Sequence, residues 1–257
     1  MKNRLFLWLF VVLLLGWKGH ATAHFAMIIP SDSMIEEGER REVKVTLSFS
    51  HPFKGEGMEL EKPFQFGVVM ARWKKSLRFL LERTEVMGHT GWMVEYRLAR
   101  SGVYTFYMEQ KPYFDPAEDR YFLHHAKTVV AALGDEKGWD QPLGLKTEIV
   151  PLTRPFGLYA GNVFQGIVML DGKPVPFAQV DVAYYNEKGK AVAPAGYMIT
   201  QVIKADSNGV FTYAVPKSGW WGFAARNISE KMQYLGVQKD VELGAILWVE
   251  FHDWKEK

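Results

Sequence analysis

The sequence of 257 residues contains no cysteine. This absence excludes disulfide bonds, thiolate metal ligands and the cysteine-linked lipid anchor of exported lipoproteins. A protein of this sequence therefore has to be held together by its apolar core. The material for that core is present, because the chain carries 9 Trp, 11 Tyr and 17 Phe.

Motifs that signal catalysis are also missing. The chain has no G-x-S-x-G elbow, no P-loop, no G-x-G-x-x-G turn and no H-E-x-x-H pair. We therefore expect a protein that is not an enzyme. Helical periodicity over more than ten residues is scarce as well, which disfavours the helical fold classes.

An excess of basic charge is lacking too. The formal net charge is +2, and residues 1–23 carry three of the positive charges and no acidic residue. Without that segment the net charge is close to −1. No basic patch points to nucleic acid, so we expect no nucleic-acid partner.

Only one long apolar run is present, at residues 5–15, and it is too short to span a bilayer. Lys2 and Arg4 precede it, and the small residues Ala21 and Ala23 follow it, which is the pattern of a secretory signal peptide. We predict a signal peptide at 1–23 and a mature chain that begins at His24 and is not membrane-embedded. The expected location is the periplasm, with secretion as the alternative.

The sequence of the mature chain predicts an all-β fold. In residues 42–51 the apolar side chains of Val43, Val45, Leu47 and Phe49 alternate with polar ones, as in a half-buried strand. Segment 74–83 fits either a pair of strands or a short helix. Further strands are predicted at 66–73, 93–98, 102–110, 121–133, 161–170, 178–186, 198–205, 210–215, 219–226 and 241–251.

A domain boundary is predicted near Pro151 and Pro155, because two prolines so close together cannot lie in a central strand. This gives an N-terminal β domain at 24–152 and a second β-sandwich domain at 153–257. The short strands and Gly-containing turns after the boundary, such as Asp171-Gly172, are typical of a sandwich.

The second half carries G-x-V-x-x-D-G-K-P-V-P-x-A-x-V at 166–180 and D-x-N-G-x-F-x-Y-x-V-P at 206–216. These motifs resemble the prealbumin-like domains typified by the carboxypeptidase regulatory domain. The resemblance implies that Val168, Val180 and Val182 fill the core. It also implies a module that binds or spaces and does not catalyse.

Histidines are the residues best suited to carry a function. A terminal His24 would present its α-amine and its ring together, which is a chelate for a transition-metal ion. His51 has the same strand parity as Phe49 and ends the inward-facing row. His89 lies in a Gly-flanked turn and His252 follows the last strand, so neither is a preferred ligand.

His124 and His125 are adjacent in a predicted strand and must face opposite sides. At most one of them can therefore join His51. Bulky Tyr121 and Leu123 precede His125 on its face, which slightly favours His125. The candidate metal ligands are thus His24, His51 and His125, with His124 left open as the replacement for His125.

Distinctive segments occur between residues 24 and 155: H-F-x-M-I-I-P-S from His24, F-S-H-P-F-x-G-E-G-M-E-L-E-K-P from Phe49, and G-W-D-x-P-x-G-L-K-T-E-I-V-P-L-T-R-P from Gly138. They resemble a bacterial family of exported proteins that is associated with cobalt and nickel transport. The resemblance implies Ni²⁺ or Co²⁺ bound by His24 and His51. It also implies a membrane partner, an ABC or energy-coupling-factor metal transporter.

Three functions are consistent with these observations. The leading hypothesis is a periplasmic accessory protein that binds a divalent transition-metal ion for uptake; Ni²⁺ and Co²⁺ are favoured, and Cu²⁺ and Zn²⁺ also suit nitrogen ligands. The alternative is a metal-free binding or adhesion module outside the cytoplasm. A copper enzyme that uses a terminal-histidine brace is the third.

Overall fold

The computed structural model describes residues 24–116, 118–234 and 236–256, without the side chains of 228–230. The predicted signal peptide lies outside the described residues. The fold is all-β, as expected, with two short 3-10 helices at Arg78–Leu80 and Gly196–Met198. The strands are β1 Phe25–Pro30, β2 Met34–Ile35, β3 Glu42–His51, β4 Glu56–Met58, β5 Gln65–Met70, β6 Trp73–Ser76, β7 Glu82–Val86, β8 His89–Arg97, β9 Gly102–Glu109, β10 Tyr113–Asp115, β11 Arg120–Ala132, β12 Thr147–Pro151, β13 Leu158–Tyr159, β14 Val163–Leu170, β15 Lys173–Pro174, β16 Gln179–Tyr184, β17 Thr200–Lys204, β18 Val210–Ala214, β19 Gly219–Tyr234 and β20 Val237–His252.

The described strands form three sheets. The first has the order β1-β3-β8-β7, with β4 paired to β3. The largest runs β17-β16-β19-β20-β11-β9-β5-β6, with β2 and β10 on β11 and β13 on β20. The third has the order β12-β14-β15, with β18 on β14. Strands from both halves of the sequence therefore lie in one continuous sheet.

The periodicity of the sequence predicts the central strands well. Strand β3 has the predicted bounds, and its Val43, Val45, Leu47 and Phe49 are buried. The Asp171-Gly172 turn has positive φ at both residues, 49° and 72°, as a tight hairpin turn requires. Segment 74–83 contains parts of two strands and a 3-10 helix between them.

The large sheet crosses the predicted domain boundary between residues 152 and 153. Strand β11 pairs in parallel with β20, from Tyr121↔Val241 to Thr128↔Trp248. Alternate side chains of β20 enter two different apolar cores: Trp248 joins the core of the first half, and Leu247 joins that of the second. The two sequence halves thus have separate cores but share a strand.

Strand β1 lies deep inside the protein. Phe25, Ala26, Met27 and Ile28 are all buried, so both faces of the strand are covered. The indole Nε1 of Trp248 donates a hydrogen bond to the backbone oxygen of Ala26, at 3.0 Å, and ties β1 to the large sheet. The strand therefore holds His24, the residue just before it, in a fixed place. None of the helices in the described part of the chain is long and apolar enough to cross a membrane.

Candidate metal centre

His24 and His51 face each other across two paired strands. Strand β1 is antiparallel to β3, with Phe25 opposite Ser50, so the register places His24 opposite His51. The centroids of their imidazole rings are 4.6 Å apart. Nitrogens that share one ion at 2.0–2.1 Å each lie no more than about 4 Å apart, a separation that this ring arrangement permits.

An aromatic and acidic wall surrounds the His24 ring. Its centroid lies 5.7 Å from that of Phe49, 6.2 Å from Tyr113 and 5.4 Å from Phe122. Its Nε2 is 4.0 Å from Oδ2 of Asp115. Tyr113 and Asp115 reach the site because β10 pairs with the first residues of β11. The site is therefore built from three separate segments: 24, 49–51 and 113–124.

His124 belongs to the same cluster. It lies on the face of β11 that carries Phe122 and Ala126, and its ring centroid is 5.6 Å from that of Phe49. Gly244 of β20 stands opposite His124 in the register. A Cβ at position 244 would overlap the His124 ring, so the glycine makes the room that this ring occupies.

The structure places His124, and not the predicted ligand His125, beside His24. His125 lies on the opposite face of β11, where its Nε2 is 3.6 Å from Oε2 of Glu109. It lines a cavity of about 420 Å³ together with Leu123 and Leu243. The bulky residues on its face pack in a separate small core and do not point toward His51. The role of His125 as a ligand of the His24 site therefore has no geometric support.

The imidazole rings of His24 and His124 are kept neutral. The pKa of His24 is lowered to about 4, mainly because the ring is buried and also because His51 lies beside it, while Asp115 opposes the shift. The pKa of His124 is lowered to about 3, mainly by burial and to a smaller extent by His24 and His125. Because only a neutral imidazole has a free lone pair, both rings are ready to bind a metal ion at neutral pH.

Side chains alone do not complete a metal site. Within the described ranges, no group of three or more His, Asp or Glu side chains could hold an ion. Cleavage before His24 would add the missing donor, since it frees the α-amine beside the ring. His124 also has a buried Nδ1 with no hydrogen-bond partner among the described residues. The candidate donors nearest one another are the ring of His24, with the α-amine that cleavage would free, and the ring of His51.

Sequence reasoning missed three members of the cluster: Tyr113, Asp115 and Gly244. No spacing rule links them to His51, because β10 and β20 reach the site only through strand pairing. The two histidines set aside lie elsewhere: His89 is 3.3 Å from Glu59 and His252 is 3.8 Å from Glu250.

Residues 21–229 match the model of a domain of unknown function, DUF4198. The chain therefore belongs to the DUF4198 family. The matched range runs through the predicted boundary at 152/153 and includes the whole histidine cluster. No curated protein matches the sequence.

Several solved structures share a broad similarity with the chain. The D0-D1 domain of intimin is 12% identical, with 88% of this chain and 99% of that chain covered and a TM-score of 0.25. The adhesin InvE of Yersinia pseudotuberculosis is 10% identical, with 86% and 58% covered and a TM-score of 0.23. Similarity at this level supports no conclusion about function.

Proposed function

We propose that the exported protein binds a divalent transition-metal ion through the α-amine and ring of His24 and the ring of His51. The observation that carries this proposal is the 4.6 Å separation of the two rings at the point where the predicted mature chain begins. Three nitrogen donors suit Ni²⁺, Co²⁺, Cu²⁺ and Zn²⁺. Asp115 adds a carboxylate that favours a cation beside His24.

Isothermal titration of the mature protein with Ni²⁺ tests the proposal. The matched variant carries one extra alanine before His24, which keeps every side chain but moves the amine away from the ring. We expect this variant to bind at least about tenfold more weakly, because it loses one of three donors and the chelate ring. His51→Ala should weaken binding by a similar factor.

His89→Ala serves as the control, because His89 begins β8, is partly exposed, and lies beside Glu59 and outside the cluster. It should bind Ni²⁺ as the unchanged protein does. Equal affinity of the unchanged and alanine-extended proteins would contradict the terminal chelate. N-terminal sequencing of the exported protein must also give His24 as its first residue.

Delivery of Ni²⁺ or Co²⁺ to a membrane transporter is the finer role that the family resemblance implies. Cells that lack the protein should then accumulate less of these ions when the medium is poor in them. The same nitrogen donors would also form a copper brace. In that case the Cu²⁺-loaded protein, supplied with a reductant, would consume O₂ and oxidise a polysaccharide, whereas a binding protein would do neither.

A cleft supports the second candidate, a metal-free binding module. It has a volume of about 540 Å³ and lies between β1 and β3 on one side and the ends of β16, β19 and β20 on the other. Tyr184, Tyr185 and Trp220 contribute aromatic surface, and Glu187 and Glu250 contribute carboxylates. The cationic residues at the cleft are Lys44, Lys188, Lys190 and Lys217.

Aromatic rings and an excess of cations suit a sugar chain that carries carboxylates. Titration with an oligogalacturonate and with its uncharged methyl ester tests this candidate. Preference for the acid form, lost in Trp220→Ala and unaffected by the extra alanine before His24, would favour the binding module. Absence of binding to both forms would contradict it.

A further inference from the structure

The outer edge of the large sheet is unusually apolar for a solvent-facing strand. Strand β6 is its last strand, and all four of its residues are exposed. The exposed fraction is 45% for Trp73, 85% for Phe79 and 53% for Leu80. We name residues 72–80 the β6 edge.

The same edge is strongly cationic. From residue 62 to residue 81 the sequence has five basic residues and no acidic one. Within the described part of the chain, no ion pair joins any of the five to a carboxylate. Four of the five, Arg72, Lys74, Lys75 and Arg78, lie in the β6 edge, and Lys62 lies beside it, where its Nζ donates to the backbone oxygen of Leu81. A mature chain near neutrality therefore concentrates positive charge at one edge.

Local contacts hold this edge in place. Leu77 is buried, and its backbone N–H donates to the oxygen of Phe66 at 2.9 Å. The Nε of Arg78 donates to the backbone oxygen of Pro63 at 2.7 Å. The short 3-10 turn that follows is thus fixed, and it presents Phe79 and Leu80 outward. Their exposure results from an ordered backbone.

Protection against edge-to-edge pairing explains only part of this composition. Lysines on an edge strand discourage another strand from pairing with it, and Lys74 and Lys75 fit that role. Exposed Trp73, Phe79 and Leu80 have the opposite effect, because they add apolar surface at the same edge. Aromatic and apolar side chains among cations that are not neutralised by carboxylates are typical of surfaces that lie on an anionic membrane.

We propose that the β6 edge docks the protein on an anionic phospholipid surface. Phe79, Leu80 and Trp73 enter the headgroup region, and Lys75 and Arg72 contact the lipid phosphates. The charge of the edge selects this partner, since a zwitterionic bilayer would offer no net attraction to the five cations. The proposal is independent of the metal site.

Sedimentation of the mature protein with vesicles tests the proposal. One set of vesicles contains phosphatidylglycerol and phosphatidylcholine, and the other contains phosphatidylcholine alone. We expect binding to the anionic vesicles only, and a strong decrease at high salt because charge attraction is screened. Phe79→Ser combined with Trp73→Ser should lower the partition coefficient about tenfold or more.

Two further variants test whether binding depends on the charge of the β6 edge and on its position in the protein. Arg72→Gln with Lys75→Gln should reduce binding at low salt and leave the fold intact, because both side chains are exposed. Val192→Ser is the matched control, since Val192 is 87% exposed but lies away from the β6 edge. It should bind as the unchanged protein does.

Equal binding to both kinds of vesicle, or binding to neither, would overturn the proposal. Light scattering tests the other occupant of such an edge, a second copy of the chain. A dimer that becomes a monomer on Phe79→Ser would assign the edge to self-association and would also overturn the proposal. A monomer at all concentrations, with retained binding to anionic vesicles, would support it.

Discussion

The two faces of β11 place two neighbouring histidines in different surroundings. His124 faces a cluster of aromatic and histidine rings next to His24, whereas His125 faces Glu109 and a small cavity. Both are buried, and both have an Nδ1 without a hydrogen-bond partner among the described residues. Residue type and burial therefore do not assign a function to either; strand parity and the partners across the sheet do.

The largest loss of stability is expected from a substitution on the face of β11 that carries His125. Lys127 lies on that face, and its Nζ is 2.5 Å from Oε2 of buried Glu148. Burial lowers the pKa of Lys127, and Glu148 opposes this shift. Glu148→Gln would leave the ammonium buried without its counter-charge, so we expect a loss of about 3–5 kcal/mol in the free energy of unfolding.

Urea unfolding followed by circular dichroism measures this loss. Lys146→Gln is the control, because the ion pair of Lys146 with Asp171 is exposed and contributes at most about 1 kcal/mol. If Glu148→Gln and Lys146→Gln cost the same, the buried pair does not stabilise this face.

The second prediction concerns the face that carries His124, which should make the free energy of unfolding depend on pH. The pKa of His124 is about 3 in the folded protein against 6.5 for an ordinary histidine. The unfolded chain binds the proton more tightly, so this group contributes its full stability above about pH 6.5 and loses it as the pH falls toward 3. The change is at most about 1.4 kcal/mol per pH unit.

Unfolding curves between pH 7 and pH 4 check this expectation. His124→Leu should lose stability less steeply than the unchanged protein over that range, because it has no imidazole to protonate. Some slope should remain, since burial also lowers the pKa of His24 to about 4. An unchanged slope in His124→Leu would contradict the buried, neutral state of this ring.

A smaller loss of stability is expected when Gly244, which makes room for His124, is replaced. Gly244→Ala places a methyl group against the His124 ring, and such overpacking costs about 1–3 kcal/mol. Gly196→Ala is the control, because nothing lies within 4 Å of a Cβ at that position. In the His124→Ala background Gly244→Ala should cost much less, and urea unfolding of the unchanged protein, the two single variants and the double variant measures the coupling. A cost that is the same in both backgrounds would show that His124 is not the obstacle.

Much of the fold can be predicted from the sequence, but the candidate metal site can be predicted only in part. Alternation in residues 42–51 gives β3 and the inward direction of His51, because strand parity is a local property. The partners of His51 are not local: His24 depends on the register of β1 against β3, and Asp115 on the pairing of β10. The sequence does not tell which of His124 and His125 faces His51, because both faces of β11 are buried.

The sheet that the two halves share is not predicted from the sequence for a similar reason. Two prolines near residue 152 predict a break between two domains, and β12 does end at Pro151. The pairing of β11 with β20 joins strands more than 100 residues apart, and no local pattern encodes it. Parallel neighbours buried on both faces carry apolar residues at consecutive positions, as Ala245 to Val249 do, which hides their periodicity.

The smallest expected effect is on Ni²⁺ affinity, which compares the two faces of β11 directly. His124 borders the proposed site and His125 does not, so His124→Asn should weaken Ni²⁺ binding about tenfold, as the loss of a supporting neighbour does. His125→Asn should leave the affinity unchanged, although it also alters a buried ring. Isothermal titration of both variants, with circular dichroism as a check on folding, makes the measurement. If His125→Asn weakened binding as much as His124→Asn, the ion would not lie between β1, β3 and the His124 face of β11.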